Sequence, residues 1–203
     1  LNRKELYKWA YRLAVFTIVY NIFEGIISVG LGLEDEAFSL FGFGLDSFVE
    51  VLSGVGVWHM IKRITASGDE NPDVFERTSL KITGTSFNIL GSGLVLTGIY
   101  GFFSNHKPET TFWGIVISLI SMATMWVLIR SKIRTGKALG SEAILADAEC
   151  TKTCLILSIV LLGSSLGYEL TGLGGIDSLG AILIAVFSFR EGKEAFEKAR
   201  GKT

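Results

Sequence analysis

Seventeen of the nineteen lysines and arginines sit at the termini and in alternate connections between long apolar stretches, all on one side, and no other feature constrains the fold as tightly. The apolar stretches cover roughly residues 13–33, 37–61, 80–103, 112–129, 143–166 and 176–189. Arg3, Lys4, Lys8 and Arg12 precede the first. Lys62, Arg63, Arg77 and Lys81 flank the connection after the second, and Arg130, Lys132, Arg134 and Lys137 fill the one after the fourth. Arg190, Lys193, Lys198, Arg200 and Lys202 follow the sixth. The other set of connections holds Lys107 alone, and Lys152 lies inside the fifth stretch. A water-soluble protein has no reason to sort its cations this way. A membrane protein does, because lysine and arginine are retained on the cytoplasmic side.

A hydrocarbon core of ~30 Å is crossed by about 20 helical residues at ~1.5 Å each. Six stretches meet that length or nearly so. The sixth is short, and Leu173 and Gly175 can extend it. The expectation is an all-α integral membrane protein, multi-pass, with residues 1–203 forming one six-helix transmembrane bundle and both termini cytoplasmic. If the source is bacterial, the membrane is the inner or plasma membrane. Composition agrees: 49% of the residues are apolar, mean hydropathy is +0.46, and only 19% are charged against about 25% in soluble domains. A net charge of −1 argues against a nucleic-acid partner. The N-terminus lacks a cleavable signal pattern, since Leu13–Leu33 is too long for a signal-peptide core.

Seven ionisable residues fall inside the apolar stretches: Glu24, Asp46, Glu50, Asp147, Glu149, Lys152 and Asp177. A charge at the bilayer centre costs roughly 2.5–3.5 kcal/mol on insertion scales, so each needs a partner, a cavity or an ion path. Asp46 and Glu50 are four apart, one above the other on the second helix. Stacked carboxylates repel unless a cation or proton lies between them. Cys150 and Cys154 have the same spacing on the fifth helix. Counted from the cytoplasmic ends near Ile61 and Ser141, the acids lie ~16 and ~22 Å deep and the thiols ~13 and ~20 Å deep. Antiparallel neighbours would bring two oxygen and two sulfur ligands together, a set suited to a tetrahedral Zn²⁺-like ion. The blander reading makes the cysteines small apolar core residues.

The remaining polar residues are less specific. Asp147 shares the cysteine stripe, either as a step for a cation arriving from the cytoplasm or as a solvated helix-end carboxylate. Glu149 and Lys152 point away from that stripe and are expected to pair across helices. Asp177 follows Gly174 and Gly175 and is expected to cap its own helix. Asn21, Glu24 and Ser28 form a polar stripe on the first helix, consistent with a cavity wall. His59 and His106 lie near helix ends and read as surface residues, His106 on the side where released metal would emerge.

At these residues the chain resembles the cation diffusion facilitator family of metal transporters. The family's acidic pair lies in a D-S-x-x-[DE] setting, here Asp46-Ser47-Phe48-Val49-Glu50. Its A-D-x-x-H-x-x-x-D pattern on helix 5 corresponds to Ala146 through Cys154, and its D-P-x-G-A segment to Asp177-Ser178-Leu179-Gly180-Ala181. The resemblance implies a four-ligand metal site of Asp46, Glu50, Cys150 and Cys154, with cysteines where the family has His and Asp. Sulfur favours softer ions such as Zn²⁺ or Cd²⁺ and disfavours Mn²⁺ and Mg²⁺, and zinc is the expected cargo, with cadmium the alternative. The family's His-rich loop is absent between helices 4 and 5, and no C-terminal cytoplasmic domain is expected within residues 1–203. A homodimer is implied by the resemblance.

The function expected is divalent metal efflux by alternating access, with protons as counter-ion, because thiols and carboxylates release protons when they bind metal. The partners are then the lipid bilayer, a divalent cation as cargo, protons and a second copy; no cofactor is needed. Two alternatives use the same residues: a non-transporting membrane metal sensor or scaffold, and a membrane thiol-redox protein. No nucleophile–base constellation is present, so an enzyme is not expected.

Overall fold

The computed structural model describes residues 3–67 and 74–201, which form six α-helices. These are α1 (Arg3–Glu34), α2 (Phe38–Ser67), α3 (Val74–Phe103), α4 (Phe112–Leu139), α5 (Glu142–Thr171) and α6 (Gly174–Ala199). Lys202 lies outside the described residues. Five of the helices run several residues past their apolar stretches, and always at the basic end. Lysine, arginine and glutamate are good helix formers, so the helix continues where the hydropathy stops. α5 instead extends at its other end, to Thr171.

Burial is inverted relative to a soluble bundle. On α1 the buried residues are Ala10, Ala14, Thr17, Asn21, Glu24, Gly25, Ser28 and Gly32, all small or polar. Phe16, Phe23, Ile26 and Ile27 on the same helix are at least half exposed. Ile89 and Leu96 on α3 and Val127 on α4 are exposed likewise. In water such a surface would drive aggregation, whereas lipid covers it without cost. Trp58 and Trp126 lie near the basic end, where Lys62 and Arg130 rest over their rings at 5.3 and 4.5 Å. Aromatic rings with cationic neighbours mark the height of a membrane interface. Among the described residues, five helices are long and apolar enough to cross a membrane. α6 falls short of that mark, because Asp177 stands near one end of its apolar segment and Arg190-Glu191 at the other.

α2 is central and touches α1, α3, α5 and α6. α3 and α6 make the most extensive pair, and its cause is a seven-residue repeat of small side chains. Gly84, Gly91 and Gly98 on α3 face Gly192, Ala185 and Ser178 on α6. A Cβ added at these three glycines would lie 3.0, 3.2 and 3.0 Å from the facing backbone oxygens. Only glycine lets the two backbones approach so closely.

Asp177 does not cap its own helix. It is fully buried, and its carboxylate accepts the backbone N–H groups of Phe38 (2.8 Å) and Ser39 (3.2 Å) and the Ser39 hydroxyl. It therefore caps α2, satisfying donors that a helix start leaves open. The expected local role fails because the N-terminus of α2 is brought against α6 and offers better-placed donors.

The α3–α6 crossing yields a paired test. Gly91→Leu should cost about 1–3 kcal/mol by overpacking. Gly93→Leu, at a position with open space around it, should be close to neutral. Thermal unfolding in detergent reads the difference, and equal midpoints for the two variants would contradict the packing described.

Candidate metal site

Glu50 is the meeting point of three helices. Its Oε1 accepts a hydrogen bond from the Cys154 thiol on α5 at 2.6 Å, and its Oε2 accepts one from Asn21 Nδ2 on α1 at 3.0 Å. The expected adjacency of α2 and α5 is thus made by side chains 104 residues apart. Around this contact lies a cavity of about 40 Å³, lined by Asn21, Glu50, Asp147, Cys150, Cys154 and Glu191 together with Thr17, Thr151 and apolar neighbours. At 10–15 Å³ per water, that is room for roughly three waters or one partly dehydrated ion. Both cysteines are free thiols. Lys198 Nζ on α6 lies 3.9 Å from the Cys150 sulfur.

Asp46 is elsewhere. It is 2% exposed and accepts a long hydrogen bond (3.4 Å) from Ser188 on α6, and it does not line the cavity. Three of the four predicted ligands therefore share the cavity and the fourth stands one helical turn away. Among the described residues, no three His, Cys, Asp or Glu side chains are gathered closely enough to hold a metal ion in this conformation. The direct Cys154–Glu50 hydrogen bond gives a physical reason, since it closes the gap an ion would occupy.

Asp147 lines the cavity on the cysteine stripe, and its partner is Lys132. The Lys132 ammonium, 1% exposed, lies 2.9 Å from Asp147 Oδ2 and donates to Thr151 Oγ1 at 2.9 Å. Lys132 reads as a loop cation in the sequence. It is instead inside α4, because α4 continues past its apolar stretch to Leu139 and packs along α5. Glu149 and Lys152 pair with each other along α5 at 2.6 Å, not across helices, because i, i+3 neighbours share a face that points outward. Glu24 is buried and accepts from Tyr20 Oη (2.8 Å) and Ser47 Oγ (3.1 Å).

Glu191 was not anticipated. It follows Arg190 in what reads as a basic tail, yet α6 continues and turns it into the cavity, where it accepts from Thr153 Oγ1 at 3.0 Å. Its spacing three residues after Ser188, on the buried face of α6, is the signal that could have found it. His106 is half-buried. It stacks on Phe38 at 4.3 Å with Nε2 2.9 Å from the Glu36 carbonyl, fixing a connection between helices. A larger groove of about 390 Å³ lies between the start of α1 and the end of α2. Lys8, Arg12 and Lys62 line it without an acid, so it repels cations.

An apolar exterior around a small cavity of carboxylates and thiols defines an integral, multi-pass membrane protein with a cation-compatible interior. Residues 40–200 match the family model of the cation efflux transmembrane domain. The chain belongs to the cation efflux family, a family of metal-cation transporters. No curated protein matches it.

The Lys132–Asp147 pair supplies a second test. Lys132→Met leaves a buried carboxylate unpaired and should cost about 3–5 kcal/mol, most of which the double variant Lys132→Met/Asp147→Asn should recover. Thermal unfolding in detergent measures both. A double variant no more stable than Lys132→Met would show that the pair is not the cause.

Proposed function

We propose that the protein exports a Zn²⁺-like divalent cation, held by Glu50, Cys150 and Cys154 and joined by Asp46 when α2 moves against α6. The observation that carries this reading is the Glu50–Cys154 contact at the cavity, with Cys150 one turn away on the same wall. Carboxylate oxygen and two thiol sulfurs favour zinc or cadmium over magnesium or manganese. Four-coordinate binding fits that donor set once the Cys154–Glu50 hydrogen bond opens.

Proton exchange follows from the same contact. In the metal-free arrangement a proton lies between Cys154 and Glu50, and an arriving cation must displace it. Release of that proton to one side and its return from the other couples metal movement to a proton gradient. The topology proposed is six spans with both termini cytoplasmic. In support, α6 packs along α3, and its outward residues Leu179, Leu183, Val186 and Phe189 form an exposed apolar stripe. A homodimer, and a single transmembrane domain over residues 1–203, are proposed on the family resemblance.

Zinc flux into proteoliposomes with a pH gradient tests the proposal. Glu50→Gln and Cys154→Ser should fall to the protein-free background, while Glu149→Gln, on the outward face, should transport as wild type does. Metal movement should be accompanied by an opposite change in lumenal pH. Full flux in Glu50→Gln would refute the site, and flux with no pH change would refute the exchange.

A further inference from the structure

Asn21 is 1% exposed on α1, and only half of its amide is used. Nδ2 donates to Glu50 Oε2, while Oδ1 has no hydrogen-bond partner. The amide is oriented by Glu50, because the flipped arrangement would aim one oxygen at another. A buried carbonyl oxygen left unpaired costs about 1–3 kcal/mol, so an atom in that state beside a polar cavity marks a place for a ligand. The other polar groups of the wall are engaged. Asp147 is held by Lys132, Glu191 by Thr153, and the Thr17 and Thr151 hydroxyls by carbonyls of their own helices. Among the described residues lining the cavity, Asn21 Oδ1 is the buried side-chain oxygen without a partner.

We propose that Asn21 is a direct ligand of the transported cation, its Oδ1 supplying a neutral oxygen from α1 to the ion bound by Glu50, Cys150 and Cys154. This rests on the transport reading and refines it. Three predicted ligands face the cavity and Asp46 does not, so the fourth position of a tetrahedral ion is open in this conformation, and Asn21 lies on the wall that can fill it. Charge favours an amide there. Glu50 and two thiolates already bring three negative charges to a divalent ion, and a neutral amide fills the fourth position at loading and is readily replaced there by Asp46 when α2 moves against α6. Because Nδ2 also holds Glu50, an ion taken by both residues ties α1 to α2 and α5 at the moment of loading. α1 precedes the residues that match the family model, so the assignment comes from this cavity alone.

The test is equilibrium Cd²⁺ binding to purified protein in detergent, by titration calorimetry. The proteins compared are wild type, Asn21→Leu, Asn21→Ala, Asn21→Asp and the double variant Cys150→Ser/Cys154→Ser. Asn21→Leu should weaken binding by about tenfold or more, and Asn21→Ala gives the same comparison if the leucine variant does not fold. Asn21→Asp keeps the oxygen and loses the N–H donor, and should bind within about threefold of wild type or tighter. An aspartate variant as weak as the leucine one would overturn the proposal, since Asn21 would then act only by holding Glu50. Unchanged binding in Asn21→Leu, with binding lost in the double cysteine variant, would overturn it while leaving the transport reading intact. No binding by folded wild type would end both.

Discussion

A polar group that cannot reach water has to find its partner on another helix, and in this molecule that requirement supplies the ties between helices. Asp177 on α6 holds the start of α2. Lys132 on α4 holds Asp147 on α5, and Ser47 on α2 reaches Glu24 on α1. Glu50 on α2 takes Cys154 from α5 and Asn21 from α1. Lipid gives apolar side chains no reason to prefer one another, so helix order in a membrane rests on such bonds and on close backbone contact. The glycines of α3 provide the second element, with α6 lying flush against them.

The two kinds of contact divide the molecule by role. The α3–α6 seam is extensive, repeated and closely packed on glycine. The α2–α5 seam is polar, with a cavity in it and a carboxylate–thiol hydrogen bond across it. Inserting an ion there breaks one bond and makes several. Asp46, bonded at length to Ser188 on α6, lies between the two seams and is placed to register any shift of α2.

Much of this is legible in the residues. Alternating basic connections betray a membrane protein because cation placement is set by insertion, before any packing. The nearness of Glu50 and Cys154 follows from overlapping depth on antiparallel helices, and Asn21 on a cavity wall follows from the polar stripe it shares with Glu24 and Ser28. What cannot be read depends on partners distant in sequence. Asp177 looks like a cap for the helix it begins, because only the fold shows that α2 starts beside it. Lys132 looks like a loop cation and Glu191 like part of a basic tail, because hydropathy records where lipid ends and not where the helix does. Asp46 and Glu50 look equivalent at i, i+4, yet a helix that packs on two neighbours sends one to the cavity and the other toward α6.

The central claim is that thiol and carboxylate from two helices hold one metal ion. X-ray absorption at the zinc edge of the metal-loaded protein tests it most directly. The account predicts two sulfur neighbours at about 2.3 Å, replaced by lighter atoms in Cys150→Ser/Cys154→Ser. A wild-type shell of oxygen and nitrogen alone, or a spectrum that the double variant leaves unchanged, would contradict it.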